Sequence, residues 1–258
     1  MSSLCDSPVM EMAMESRGLR QRTRVPVDGR EGNIAMLQLV AESLGDMKKK
    51  VVFLGGTIIP FLLTRKVPLD LRPSRDVDFI VEFDSKEELY EFEDGLWEQG
   101  FKRVSTGAVS KWKIDDVSVD VLPAGPVLDF NNKWCDEAVG HPTRVNIGKG
   151  MVVDIMPAHC FLGVKLTGFY RRGKDNYAES FDIYDLLVII AGRPEIEKEI
   201  QEDASLELRG YLSRELRILS CKGDHFYELM ERFCRNSEAA RSVLPEALSR
   251  IRRIGGLN

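Results

Sequence analysis

The sequence predicts an α+β fold, a small mixed sheet with flanking helices followed by a helical C-terminal domain. Three observations predict it. Short apolar runs rich in Val and Ile, within 51–54, 76–83, 102–122 and 143–155, read as strands divided by turn residues. A capping box, Ser85-x-x-Glu88, opens an amphipathic helix in their midst. After Pro157 the period-two alternation gives way to helical spacing as far as Ile254, which places a boundary near Met156.

In chain order, residues 1–32 carry Arg17, Arg20, Arg22, Arg24 and Arg30 among Ser, Gly and Pro with little periodicity, and read as a flexible arm. From Asn33, the residues Ile34, Leu37, Ala41 and Leu44 recur at helical spacing up to Gly45, ahead of Lys48-Lys49-Lys50. Val51–Leu54 is a short buried strand. Gly55-Gly56 turns the chain, and Thr57–Leu63 begin a helix with Pro60 in its first turn. Asp76–Phe83 is the second strand. The helix from Ser85 buries Leu89, Phe92 and Leu96 and ends at Gly100. Strands follow at 102–106 and 110–114, and Asp115-Asp116 turns tightly into Val117–Leu122, which Pro123 stops. A hairpin at 143–147 and 151–155 is interrupted by Gly148 and Gly150. A mixed domain over 33–156 is thus followed by a helical one over 157–258, with helices at His159–Arg172, Ser180–Ala191 and several more from Glu195.

A chain of 258 residues with 43% hydrophobic and 30% charged residues can bury a substantial core. A net charge of -5 excludes a uniformly basic nucleic-acid binder while leaving room for a local basic groove. No apolar run approaches the ~20 residues of a membrane span, and no apolar signal core follows the first charges, so a cytoplasmic protein with no membrane partner is expected. The five cysteines are scattered, none forms Cys-x-x-Cys, and the three histidines stand at no zinc spacing to them, which points to reduced thiols. His159 and Cys160 are expected to pack rather than catalyse, and Trp112 and Trp134 to serve the core or a domain seam.

The chemistry lies in the acids. Residues i and i+2 of a strand share a face about 6–7 Å apart. Asp76 and Asp78 therefore present both carboxylates on one side while Val77, Phe79 and Val81 pack on the other. Two dehydrated carboxylates raise each other's pKa, a conflict that a divalent cation removes, and Mg²⁺ takes carboxylate oxygens, waters and substrate phosphates. Asp120, of opposite parity to Val117, Val119 and Val121, offers a third acid; three carboxylates on two adjacent strands can hold two metals. The Gly55-Gly56-Thr57 turn adds backbone N–H groups and a hydroxyl suited to phosphate, so the set suits an NTP bound as its metal complex. Singly, each feature reads as a turn, an exposed strand end or a surface residue; their order and spacing favour one joint site.

Leu54-Gly55-Gly56-Thr57, Arg72-x-Ser74-x-Asp76-x-Asp78 and the apolar-Asp120-apolar strand resemble the nucleotidyltransferase superfamily signature. They are most similar to the AbiEii/AbiGii toxin-like nucleotidyltransferases of type IV toxin–antitoxin systems. Lys165-Leu166, Arg171-Arg172 and Asp182-Ile183-Tyr184-Asp185-Leu186 resemble that family's Lys-Leu…Arg…Asp-x-x-Asp-Leu block, so the likeness spans residues 50–192. The Thr64–Leu71 connection and the Asn176–Glu179 insert depart from the pattern. The resemblance implies transfer of a nucleoside monophosphate from an NTP, dependent on Mg²⁺ or Mn²⁺, with release of pyrophosphate. It implies Asp76 and Asp78 as metal ligands and Asp120 as third ligand or general base. Gly55, Gly56 and Thr57 would hold the β- and γ-phosphates, Lys165 would neutralise triphosphate charge, and Asp182 or Asp185 would orient Lys165 or the acceptor. For a toxin-like member it implies tRNA, other RNA or a protein as acceptor and a cognate antitoxin as partner. A small-molecule adenylyltransferase and a non-catalytic nucleotide-binding module of the same fold are the alternatives.

Bland readings stand beside these. Arg72, preceding Ser74 in the motif, is expected to hold Asp76 or Asp78. Lys165 can instead snorkel from a helix whose Phe161, Leu162 and Leu166 are core, and Asp182 and Asp185 can cap the next helix. Arg171, Arg172 and Lys174 can track a nucleic-acid backbone or merely complement a helix dipole. Arg250, Arg252 and Arg253 read as a solvated helix end.

Overall fold

The computed structural model describes residues 29–105, 110–125, 132–172, 176–222, 228 and 237–257. Helix α1 (Gly29–Ser43) buries Met36, Leu37, Val40 and Ala41, and it begins four residues ahead of the Asn33 start that the spacing predicts. A 3-10 turn at Gly45–Lys50 carries the lysine run into β1 (Val52–Leu54), which is buried along its length. The helix expected over Thr57–Leu63 is two short pieces, a 3-10 turn at Gly56–Ile58 and α2 (Ile59–Leu62). An irregular connection leads to β2 (Asp76–Glu82). Helix α3 (Lys86–Glu98) follows, capped by Ser85, whose hydroxyl accepts from Glu88 N.

Strands β3 (Lys102–Ser105), β4 (Ser110–Ile114) and β5 (Val117–Ala124) form an antiparallel meander. After α4 (Lys133–Gly140) come β6 (Thr143–Asn146) and β7 (Val152–Ile155). All seven strands lie in one mixed sheet, ordered β3-β4-β5-β2-β1-β7-β6. The pairs β2–β5 and β1–β7 are parallel, and β1–β2 is antiparallel. The α+β class read from the sequence is therefore present, with the late hairpin joined to the sheet through β1.

β5 runs two residues beyond the expected end at Leu122, through Pro123, which pairs with Val81 as Ala124 pairs with Glu82. Ala124 O accepts from Phe83 N, so strand alternation turns the Pro123 nitrogen away from β2 and its missing donor costs that ladder nothing. Aromatic rings from three elements close the sheet's inner face: Phe53, Phe79, Phe92 and Phe83 meet edge to face at 5.6–6.2 Å between centroids.

The helical half comprises α5 (Ala158–Arg172), α6 (Phe181–Gly192), α7 (Ile196–Glu202), α8 (Leu206–Ser220) and α9 (Glu238–Ile254). Apart from Asp182 and Asp185, helix α6 is apolar on every side, and such a helix must sit in the middle. From Asp182 to Gly192 every residue is buried, so the two aspartates it carries are buried with it. The buried apolar residues form one cluster from Met36 to Ile251 that joins the sheet to these helices. Trp112 and Trp134 belong to it, as expected. Arg250, expected at a solvated end, is instead buried, donating to Ile190 O at 2.7 Å and pairing with Glu246. Cys135 and Cys160 are buried free thiols and Cys221 is an exposed one, while Cys5, Cys234 and Lys174 lie outside the described residues. Among the described residues no helix is long and apolar enough to cross a membrane.

Candidate active site

β2 alternates as its composition demands, with Asp76 and Asp78 at the sheet face and Val77 and Phe79 in the core. The parallel register sets Asp78 opposite Asp120 and Asp76 opposite Ser118. One carboxylate oxygen from each of Asp76, Asp78 and Asp120 lies within 4.8 Å of the other two. Burial, with Asp76 and Asp120 beside it, pushes the Asp78 carboxyl up to about 7, whereas Lys165 and Lys111 work the other way. The donor set is three hard carboxylate oxygens facing a cavity, and one of them cannot carry its charge comfortably unaided. That fits a hard divalent cation of the Mg²⁺ or Mn²⁺ kind.

A cation of the chain's own already touches the cluster. Lys111 stands opposite Asp120 across β4–β5, and its Nζ donates to Asp120 Oδ2 at 2.7 Å. That hydrogen bond raises the Lys111 pKa. Sequence reading missed this lysine. A strand reading Ser-Lys-Trp-Lys-Ile looks like an ordinary solvated edge until the register with β5 is known.

The Gly-Gly turn abuts the acids. Gly55 adopts φ +79°, and a Cβ there would lie 2.0 Å from Asp78 Oδ2. Glycine is thus required both by the backbone and by the approach to the carboxylate. A Cβ on Gly56 would come within 2.8 Å of Ser74 Oγ. Asn33, buried in the first turns of α1, ties these segments together: its Nδ2 donates to Gly56 O and Arg72 O, and its Oδ1 accepts from Ser74 N at 2.8 Å. Ser74 Oγ donates to Asp76 O at 3.0 Å. Asn33 is a second residue the sequence reading passed over. The available signal was an amide on the apolar stripe of a helix, which the reading used only as a helix start.

The Lys165, Arg171-Arg172 and Asp182–Asp185 block converges on the same cavity, but not in the expected pairs. Arg72 does not hold Asp76 or Asp78. It forks onto Asp185, Nε to Oδ1 at 2.9 Å and Nη2 to Oδ2 at 2.7 Å, with its guanidinium 5.2 Å from the Phe181 ring centre. Lys165 does not snorkel. It is 7% exposed and donates to Asp185 Oδ2 at 2.6 Å and Asp182 Oδ1 at 3.3 Å. Arg172 completes the set on Asp182 Oδ2 at 2.6 Å. The helix cap is Ser180, whose hydroxyl accepts from Ile183 N, so neither aspartate is needed for capping.

A cavity of about 800 Å³ is lined by Gly55, Gly56, Arg72, Ser74, Asp76, Asp78, Asp120, Lys165 and Asp182, together with Arg75, Phe169, Arg172, Asn176, Glu179 and Phe181. Two expected residues are not on that wall. Asp185 sits behind Lys165 at 1% exposure, and Thr57 is fully buried beneath the turn, its Oγ1 without a hydrogen-bond partner among the described residues. With only a 3-10 turn and a four-residue helix following it, the Gly-Gly segment offers N–H groups rather than a substantial helix dipole.

No protein-family model and no curated protein matches the chain. Among solved structures it is similar to an antigenic nucleotidyltransferase-like protein from Paracoccidioides brasiliensis, at 18% identity over 84% of this chain and 92% of that one, with a TM-score of 0.44. It is also similar to the antibiotic-resistance factor ANT(2'')-Ia, at 12% identity over 77% of this chain and 99% of that one, with a TM-score of 0.43. At those scores neither likeness bears on what this chain does.

Proposed function

We propose that this chain is a divalent-cation-dependent nucleotidyltransferase that moves a nucleoside monophosphate from an NTP to an acceptor, with release of pyrophosphate. The observation that carries the proposal is the meeting of Asp76, Asp78 and Asp120 on two parallel strands, directly against the Gly55 backbone and in one cavity with Lys165 and Arg172. Asp76, Asp78 and Asp120 would hold Mg²⁺, which when bound stabilises charge on the phosphate undergoing displacement. The chain's own groups supply the rest. Gly55 and Gly56 let the backbone approach the triphosphate, and Lys165 and Arg172 present positive charge from the opposite wall. Asp182 and Asp185, the latter forked by Arg72, hold Lys165 in place rather than touching the nucleotide themselves. Asp120 keeps Oδ1 for a metal or for the proton of an acceptor hydroxyl while Oδ2 accepts from Lys111.

We read the acceptor as RNA, with tRNA foremost, and the chain as toxin-like with a cognate antitoxin. What supports this finer reading is the likeness of the Lys165, Arg171-Arg172 and Asp182–Asp185 block to the toxin-like group, together with the convergence of Lys165, Arg172 and both aspartates at the cavity. The test is incubation with each α-labelled NTP, Mg²⁺ and total RNA. Label is expected in RNA, dependent on Mg²⁺ and lost in Asp120→Asn. Label in a small aminoglycoside-type acceptor instead would keep the reaction and overturn the acceptor. Absence of both transfer and Mg²⁺-dependent nucleotide binding would overturn the activity itself.

A further inference from the structure

Away from that cavity, α4 and the first turn of α5 bring together a second set of ligand-bearing side chains. A carboxylate oxygen of Glu137, a ring nitrogen of His159 and the Cys160 sulfur all lie within 4.8 Å of one another. His159 is 6% exposed and Cys160 is wholly buried, while Glu137 is only half-buried and leaves a way in. Three features distinguish this group from ordinary packing. First, among the described residues none of the three side chains hydrogen-bonds another, so they converge without satisfying one another. Second, the Glu137 carboxylate is fixed from outside: Oε1 accepts from Ser205 N at 2.9 Å and Oε2 from Ser205 Oγ at 2.7 Å, at the N-cap of α8. Outer contacts of this kind orient a ligand and leave lone pairs for an ion. Third, the charged groups bearing on the ring are mostly negative, Glu137, Asp203 and Glu199 against Arg193, a setting that favours a cation.

We propose that Glu137, His159 and Cys160 bind a divalent transition-metal ion of the zinc class, with a fourth position open to water. One nitrogen, one sulfur and one carboxylate oxygen form a mixed set that suits Zn²⁺ or Co²⁺ and discriminates against Mg²⁺. Zinc bond lengths of about 2.0–2.3 Å set tetrahedral ligand atoms roughly 3.5 Å apart, and the three atoms already lie within 4.8 Å of one another. Binding is an acid–base exchange with no redox change: burial pushes the Cys160 thiol up, so its proton leaves to solvent only as the ion takes the sulfur as thiolate. The ion would brace α4 and the α8 cap against the head of α5, the helix that presents Lys165 to the cavity six residues further on.

The test uses the full chain, stripped with EDTA and held in excess Mg²⁺ so that the three aspartates are occupied, then titrated with Co²⁺ alone. A thiolate-to-cobalt charge-transfer band that saturates at one ion per chain and is discharged by Zn²⁺ is expected. It should vanish in Cys160→Ser, and His159→Gln should weaken Co²⁺ binding by about tenfold or more. Since a core variant can misfold, the wild-type chain is also unfolded in urea with and without Zn²⁺ in the same Mg²⁺ buffer, and its midpoint should rise with Zn²⁺. No band in the wild type, a band that persists in Cys160→Ser, or a urea midpoint that Zn²⁺ leaves unmoved would overturn the proposal. Nucleotide transfer enters none of these readouts, so they stand apart from the activity proposed above.

Discussion

Replacing Asp78 by Asn removes the charge this fold tolerates least. The Asp78 carboxyl rises from an ordinary 3.8 to about 7, first through burial and then through Asp76 and Asp120. A group whose folded pKa is raised contributes stability that is complete below its unfolded pKa and lost as the pH climbs through the folded one. The loss therefore accrues from about pH 4 to about pH 7 and is constant above. Each tenfold change in protonation is worth about 1.4 kcal/mol, so the ceiling is about 4 kcal/mol, and solvent in the open cavity brings it nearer 2 kcal/mol. The assay is urea unfolding in EDTA, wild type against Asp78→Asn, across that range. The variant should draw ahead by about 2–4 kcal/mol between pH 4 and pH 7 and run parallel beyond it. At pH ~8, Mg²⁺ should restore the wild type and leave the variant unmoved, because the ion binds N and not U. Stability curves that stay parallel from acid to neutral pH would refute the crowding of the three carboxylates.

Lys111→Met should tighten Mn²⁺ binding by the metal-free chain roughly three- to tenfold, since the ammonium on Asp120 competes with the ion; calorimetric titration reads this, and weaker binding would count against it. Gly55→Ala places a methyl where Asp78 Oδ2 sits and in a backbone region costly for alanine, so it should lose about 1–2 kcal/mol of stability and all Mg²⁺-dependent NTP binding, by urea melts and equilibrium dialysis. Lys165→Met leaves Asp182 and Asp185 with one partner each and should destabilise by about 3–5 kcal/mol, a loss below 1 kcal/mol in urea denaturation contradicting the buried network. Asn33→Ala deletes three hydrogen bonds to the site loops and should cost about 2–3 kcal/mol while raising KM for the NTP more than it lowers kcat.

Period-two burial is a local property, and so the strands bearing Asp76, Asp78 and Asp120 were legible from residues alone. The carboxylates share a face because Val77, Phe79, Val119 and Val121 must share the other. The helix over 86–98 was legible for the same kind of reason, its cap and its apolar stripe being adjacent in sequence. What escaped was everything set by register and packing between distant segments. Lys111 meets Asp120 only because β4 and β5 pair as they do, and Asn33 reaches Gly56, Arg72 and Ser74 only because α1 lies beside the turn. Arg72 was assigned to its near neighbours in the chain, yet its fork closes on Asp185, 113 positions away. Thr57, read as a phosphate ligand from its place after two glycines, is turned under by the tight 3-10 helix it belongs to. Arg250 was read by composition as solvated and is buried because α9 packs on the apolar α6.

The pairing of charges also explains why the two walls of the cavity differ. On the strand wall three carboxylates have one direct cation among the described residues, Lys111, and that cation is half-exposed and able to leave. On the helical wall the proportions reverse: Arg72, Lys165 and Arg172 share Asp182 and Asp185, and Arg75 and Glu179 line the rim close by, four cations to three acids. Neutralising the helical wall fully would have needed a further acid; neutralising the strand wall would have needed further lysines. The fold leaves the excesses opposite in sign and facing each other across one space. A bare polyanion satisfies only the helical side and a bare cation only the strand side. A metal–triphosphate complex carries both charges in one ligand, which is why the geometry favours that class of substrate over a simple anion.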